Sequence, residues 1–311
     1  MKVVYHAAAG PDLAARLASL PGLDIAICPD GDERRLASLL PECEVLWHVL
    51  QRCTAETIAA APKLRLIQKI GVGVNTIDLA AAKARGIPVC NLPGTNSRAV
   101  AELALALMLP VLRRVLRFDA SLRSGVWTDL ALQDGLGELG GRVVGLVGYG
   151  SVPRILAPVL VAMGCEVVYT ARHSVSDAAA RFVSLRELLE RSDVVSLHLP
   201  LTEETNRLID RAAIAGMKKG AILINTARGA LVDETALADA LRSGQLGGVG
   251  LDVFIEEPLP RDAALLALDN VVVTPHVAWT TTGTFDRSFA LAAENCRRIM
   301  AGTPLLHRVD T

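Results

Sequence analysis

Three polar side chains follow three separate apolar runs in the second half of the sequence: Arg228 in ILINTARGALVDE, Glu257 in GLDVFIEEPLP and His276 in VVVTPHVAW. Taken singly, each has an ordinary reading. An arginine after a strand is often an ion-pair partner, Glu-Glu-Pro is usually a solvated turn, and a lone histidine is more often packed than reactive. Taken together they form an acid/base set: a guanidinium with a planar fork of donors, a carboxylate, and an imidazole able to give or take a proton near neutral pH. For residues so far apart in sequence to meet, the runs before them must be strands of one parallel sheet, because ligands gather at the carboxyl ends of such strands.

The rest of the chain supplies that sheet and a second one. Short β-branched runs alternate with amphipathic helical stretches from end to end, which predicts parallel sheets covered by helices on both faces. A first series, KVVYHA, DIAIC, EVLWHVL, RLIQKI and PVCNL, ends near Gly94. After a long helical stretch, NSRAVAELALALMLPVLRRVLRF, a second series of six runs follows: RVVGLVG, EVVYTA, DVVSLHL, AILINTA, GVGLDVF and NVVVTPH. TFDRSFALAAENCRRIMAG reads as a last helix returning to the first domain. The expectation is an α/β protein of two doubly wound parallel-sheet domains with a cleft between them. Residues 1–96 and 282–311 would form one domain and residues 97–281 the other.

In the second domain, GLVGYGSVPRILAP places Gly148 and Gly150 after a strand and before a helix. In that context a glycine-rich turn predicts a dinucleotide-binding loop. Gly148 permits the tight turn, Gly150 lets phosphates approach the main chain, and the N–H groups of Ser151 and Val152 point at the anion. Pro153 stands where a third glycine would allow close helix packing, so the departure falls on packing, and proline is tolerated in a first helical turn. About twenty residues further on, where an NAD site places an acid for the ribose, this chain has Thr170, Ala171, Arg172, His173 and Ser174. No carboxylate competes with Arg172, so a 2′-phosphate would meet a guanidinium there, which favours NADP(H) over NAD(H). The plain reading of Arg172 is a solvated loop residue.

Composition removes other classes. Among 311 residues, 32 basic side chains face 33 acidic ones with no basic block, so the footprint of a nucleic-acid binder is missing. Hydrophobic residues reach 51%, but the longest apolar stretch, Ile155 to Cys165, is much shorter than the roughly 20 residues a membrane span needs. The first residues read as a strand rather than a secretion signal, which points to the cytoplasm. The six cysteines show no metal-ligand spacing and read as buried thiols.

Over nearly its whole length the sequence resembles the D-isomer-specific 2-hydroxyacid dehydrogenases. The likeness runs through IGVGVNTIDLAAAKARGIPVCNLPG, NSRAVAELALALML, ELGGRVVGLVGYG, DVVSLHLPLTEETNRLID, INTARGALVDETALADALRSGQLGGVGLDVFIEEPLP and NVVVTPHVAW. It implies a flavodoxin-like substrate domain and a Rossmann cofactor domain that close on binding. Arg228 would hold the substrate carboxylate and polarise the keto oxygen. His276 would exchange a proton with that oxygen, and Glu257 would orient the imidazole and favour its charged form. Main-chain N–H groups of Val72 and Gly73 would bind the carboxylate from the other domain, although alone this glycine pair reads as a tight turn. Thr226 and Ala227 would line the nicotinamide, Asp252 would receive its carboxamide, and His198, Leu199 and Pro200 would lie along the cofactor; His198 reads equally as structural. PHVAW, ending in Trp279, looks like the glycerate dehydrogenase and hydroxypyruvate or glyoxylate reductase branch, and Trp279 either borders the cofactor site or packs the last helix. A homodimer built around the long helix is also implied. Two other readings stay open: a nucleotide-sensing corepressor-like protein, and oxidation of another small anion such as phosphite.

Overall fold

The computed structural model describes residues 1–176 and 178–309; residues 310 and 311, the end of the first expected domain, lie outside the described residues. The chain forms two compact units, Met1–Asn96 with Thr281–Thr311, and Ser97–Thr280.

In the first unit the apolar runs become β1 (Lys2–His6), β2 (Asp24–Cys28), β3 (Val45–His48), β4 (Leu66–Lys69) and β5 (Val89–Cys90). They pair in parallel in the order β2-β1-β3-β4-β5, a flavodoxin-like arrangement. Alternation along each strand decides what each face meets. Val4, Leu46 and Ile67 stand in register and share a core with Leu36, Ile58 and Ala82, which come from α2 (Glu33–Leu39), α3 (Ala55–Ala59) and α4 (Leu79–Ala84). The neighbouring positions Tyr5, Trp47 and Gln68 face the other way. There Trp47 stacks on Phe289 of α12 (Thr282–Ala301), ring centroids 5.7 Å apart. The Asn295 amide donates to Gln68 Oε1 at 2.8 Å and accepts from the Leu306 N–H at 2.8 Å, so a buried polar group of α12 is satisfied at the sheet. Helix α1 (Pro11–Ala18) follows β1. Asp32, Thr54 and Asp78 cap α2, α3 and α4 by accepting from the N–H three residues on. Thr281 caps α12 in the same way, which is why it belongs with this unit.

The second unit holds β6 (Val143–Val147), β7 (Glu166–Thr170), β8 (Arg181–Phe182), β9 (Val194–Leu197), β10 (Ala221–Asn225), β11 (Leu246–Leu251) and β12 (Val271–Val273). Their order is β12-β11-β10-β9-β6-β7-β8, and every pairing is parallel. The sequence predicts six of these strands; β8 escapes it because it is two exposed residues long and carries no apolar run. The strand order reverses between β6 and β9, the position where such sheets open a crevice for a nucleotide.

One helix is predicted over NSRAVAELALALMLPVLRRVLRF and two are present, α5 (Ser97–Arg113) and α6 (Val115–Arg123). Between them Arg114 turns left-handed, φ 49°. Its guanidinium donates to the carbonyls of Ala131 and Leu132 at 3.2 and 3.0 Å, in α7 (Leu130–Gln133). The apolar side of α5 is consumed inside its own unit: Ala104, Leu107 and Met108 pack with Leu146, Leu156 and Ile224. A Cβ on Gly250 of β11 would lie 2.8 Å from Leu107 Cβ, so the helix lies tight against the sheet. Exposed apolar side chains come later, at Leu116, Leu122, Trp127 and Leu130. Helices α8 (Ser151–Ala162), α9 (Leu185–Arg191), α10 (Arg211–Ala215) and α11 (Glu234–Ser243) complete the unit. Among the described residues no helix is long and apolar enough to cross a membrane, no cluster suits a metal ion, and the six cysteines are buried.

Candidate active site

Beyond β12 the chain turns sharply and His276 takes φ 54°, a conformation uncommon for any residue but glycine. What holds it there is Asp252, fully buried after β11. Its carboxylate accepts from Thr274 Oγ1 at 2.6 Å, Val277 N–H at 2.8 Å and Ala278 N–H at 2.9 Å, while its main-chain carbonyl accepts from the His276 N–H at 2.8 Å. The strained turn is thus fixed by four bonds to one residue. His276 Nδ1 meets Glu257 Oε2 at 2.7 Å. Glu257 is itself oriented, because its other oxygen accepts from the Phe254 N–H at 2.9 Å. With Nδ1 donating to a carboxylate, Nε2 is the nitrogen left for a reacting atom.

Arg228 follows β10, and Asn225 shapes that turn. The Asn225 side chain accepts from the Ala227 N–H at 3.0 Å and donates to the Arg228 carbonyl at 2.8 Å. The Arg228 guanidinium donates to the Ala227 carbonyl at 2.6 Å. Burial pushes the Arg228 pKa down, and nearby Glu257 works against that shift. For Glu257, burial alone would raise the carboxyl; the bond to His276, its charge, the Phe254 N–H and Arg228 outweigh it and hold the group below the ordinary glutamate value. Arginine, glutamate and histidine predicted from β10, β11 and β12, which are neighbours in the sheet, therefore occupy one electrostatic site.

That depression makes folding pH-dependent. A carboxyl whose folded pKa is lowered contributes stability that is fully present above its unfolded pKa and is lost as pH falls through the folded value. Glu257→Gln removes this contribution, so the gap in melting temperature between wild type and variant should close as the pH is lowered through the carboxylate range, as read by calorimetry.

At the reversal point the loops after β6 and β9 touch. Gly148 has φ 97°, and a Cβ there would lie 2.3 Å from the His198 carbonyl oxygen, so only glycine fits. A Cβ at Gly150 would meet open space, and Gly150, the N-cap of α8, has no side chain closing the helix end. Ser151 and Val152 begin α8, and buried Pro153 occupies its first turn, where the missing N–H costs little. The imidazole of His198 hydrogen bonds with Ser196 Oγ at 2.9 Å, and burial pushes its pKa down to about 4, so it is neutral. Leu199 is half-buried and Pro200 exposed on the same loop. Thr226 is buried with no hydrogen-bond partner for its hydroxyl. Trp279 is half-buried, three residues past His276. In the first unit, the Leu92 N–H donates to the Gly71 carbonyl at 2.8 Å and Asn91 Nδ2 to the Val72 carbonyl at 2.9 Å. These bonds fix the backbone just before Gly73.

The model of the NAD binding domain of D-isomer specific 2-hydroxyacid dehydrogenases matches residues 105–278. The chain belongs to the D-isomer specific 2-hydroxyacid dehydrogenase family. It is 41% identical over 279 residues to a D-3-phosphoglycerate dehydrogenase of Mycobacterium leprae, covering 88% of this chain and 52% of that one. The chain thus spans about half the length of the D-3-phosphoglycerate dehydrogenases it matches. To the hydroxypyruvate reductase of Thermotoga maritima it is 40% identical, with 80% of this chain and 82% of the relative covered. Among solved structures, the TT0316 protein from Thermus thermophilus superposes with a TM-score of 0.90 at 40% identity, over 99% of this chain and 100% of that one.

Membership in this D-isomer specific 2-hydroxyacid dehydrogenase family implies a nicotinamide cofactor, and the residues present fit one. The open backbone at Gly150, the uncapped start of α8 and the orphaned buried hydroxyl of Thr226 suit a diphosphate and a polar ring substituent. Asp252 fits its expected role less freely, since three of a carboxylate's four acceptor positions are taken by the His276 turn. Arg172 is exposed beyond β7, as read from the sequence, but the expectation that no carboxylate competes with it needs correction. Glu204, on the loop after β9, lies within its electrostatic reach. That proximity is set by two loops far apart in sequence. Sequence reasoning also missed Asn225, Thr274 and Ser196, whose side chains organise the site; a buried asparagine closing the apolar run AILIN was a signal for the first.

Proposed function

We propose that the protein is an NADPH-preferring reductase of small hydrophilic 2-keto acids such as glyoxylate or hydroxypyruvate, in the cytoplasm. The observation that carries the reading is the 2.7 Å bond between His276 Nδ1 and Glu257 beside the half-buried Arg228. When bound, the nicotinamide supplies the hydride. Arg228 pairs with the substrate carboxylate through its donor fork and draws charge toward the keto oxygen. His276 donates the Nε2 proton to that oxygen as it gains charge and takes it back in the reverse direction. Glu257 stabilises the imidazolium in the geometry needed for transfer. The N–H groups of Val72 and Gly73 serve the same carboxylate, Thr226 and Ala227 line the ring, and Asp252 takes its carboxamide through the one acceptor position left. His198, Leu199, Pro200 and Trp279 border the cofactor.

Names borne by relatives support a small 2-keto or 2-hydroxy acid but divide between glyoxylate or hydroxypyruvate and phosphoglycerate. Glyoxylate, hydroxypyruvate and 3-phosphohydroxypyruvate should therefore each be assayed with NADPH and with NADH by absorbance. Turnover of the first two, faster with NADPH, is expected. Turnover of the phosphorylated acid alone would replace this reading.

We also infer a homodimer whose interface centres on α6 and the segment after it rather than on α5. Trp127, 86% exposed, lines a groove of about 190 Å³ with Phe118, Leu122 and Val126, and Leu130 further along the chain is 70% exposed. Apolar exposure of this kind suits an interface. Trp127→Asp should shift the sedimentation coefficient from dimer to monomer; an unchanged dimer would place the interface elsewhere.

A further inference from the structure

Between Gly148 and Gly150 stands Tyr149, and near the end of β7 stands Tyr169, both at least nine-tenths buried. Their rings lie 4.1 Å apart, and Phe182 of β8 adds a third ring 5.4 Å from Tyr169. Arg154, on the first turn of α8, lies 5.9 Å over the Tyr149 ring. Packing explains the rings but not the hydroxyls. The Val175 N–H donates to Tyr169 Oη at 2.7 Å, and the same hydroxyl donates to the Val175 carbonyl at 3.4 Å. The Tyr149 hydroxyl is bonded to the backbone of Ala179. Two phenols rooted in the sheet and the phosphate loop thus engage the loop after β7 at Val175 in its middle and at Ala179 near its far end.

That loop carries Arg172, His173 and Ser174, all exposed. An exposed arginine on a free loop loses much side-chain and backbone entropy when it takes up a phosphate. Here the backbone one residue past Ser174 is fixed in advance, because both the N–H and the carbonyl of Val175 are bonded to Tyr169 Oη.

We propose that Tyr169 and Tyr149 are positioning residues for the cofactor's 2′-phosphate, holding the Arg172–Ser174 segment in its binding geometry through Val175 and Ala179. Because Tyr149 also belongs to the phosphate loop, the clamp sets the distance between the diphosphate site and the 2′-phosphate site. The proposal rests on the reading that Arg172 selects NADP(H).

The test measures dissociation constants of NADP⁺ and NAD⁺ by titration calorimetry for wild type, Arg172→Ala, Tyr169→Phe and Tyr149→Phe, together with amide hydrogen exchange at Val175. Phenylalanine keeps the stack, and Tyr149→Phe serves if Tyr169→Phe does not fold. Loss of one pre-set bond should weaken NADP⁺ about fivefold to tenfold and NAD⁺ less than about twofold, with faster exchange at Val175. A merely structural role would weaken both cofactors alike, which would overturn the proposal. If Arg172→Ala lowers the NADP⁺ preference while both tyrosine variants keep it, the clamp is refuted and the cofactor reading stands. If Arg172→Ala leaves the ratio unchanged, the cofactor reading falls and the clamp with it.

Discussion

Replacing His276 by asparagine should lower turnover by about a thousandfold, within the range of a lost general acid, while the fold and cofactor affinity persist. Asparagine is chosen because residue 276 sits at φ 54°, where its short amide is better tolerated than most side chains. The four bonds through Asp252 hold the backbone of that turn and involve no atom of the imidazole, so the turn should survive the change. What disappears is the imidazole Nε2, the atom left to pass a proton to the keto oxygen once Nδ1 is bonded to Glu257. Because the lost interaction belongs to the moment the keto oxygen gains charge, kcat should fall and KM should change little. Single-turnover absorbance with glyoxylate and NADPH reads the chemical step directly. A loss of less than about tenfold would remove His276 from the reaction.

How much of this site was legible before the structure depends on what each residue follows. Arg228, Glu257 and His276 stand out because each is polar and lies three to six residues past the end of an apolar strand, and parallel topology then brings those strand ends together. Gly148 and Gly150 are legible for the same reason, as a turn between a recognisable strand and helix. Asp252 was legible as important but not in its main structural work: its three carboxylate partners lie twenty or more residues away, at a left-handed turn the letters TPHVA do not announce. The break at Arg114 was hidden too, since the guanidinium answers to carbonyls of α7 rather than to its own helix. Glu204 near Arg172 is the same kind of omission, a meeting of loops from opposite sides of the strand-order reversal. Periodicity reports what faces a core. Contacts between loops are reported only by the fold.

Arg228 provides the second large effect, and the substitution that tests it best is conservative in charge. Arg228→Lys keeps a cation but replaces a fixed planar fork by a single ammonium on a flexible stem. If the arginine does no more than attract an anion, lysine should retain most of the activity. If it must grip a carboxylate with one pair of donors while reaching the keto oxygen, lysine can satisfy only part of that geometry. Losing one charge-assisted bond costs about 2–3 kcal/mol, which corresponds to a fall in kcat/KM of roughly 30- to 150-fold. Alanine should cost about 10⁴-fold, two such bonds, and it also deprives Glu257 of a cationic neighbour that helps hold its carboxyl down. The acid limb of the stability profile should then move toward higher pH, a readout independent of catalysis. Added guanidinium ion offers the sharpest check, because it can enter the space vacated in Arg228→Ala but not in Arg228→Lys. Rescue of the alanine variant alone would show that the missing element is the fork, whereas equal activity of wild type and lysine variant would reduce Arg228 to a source of charge.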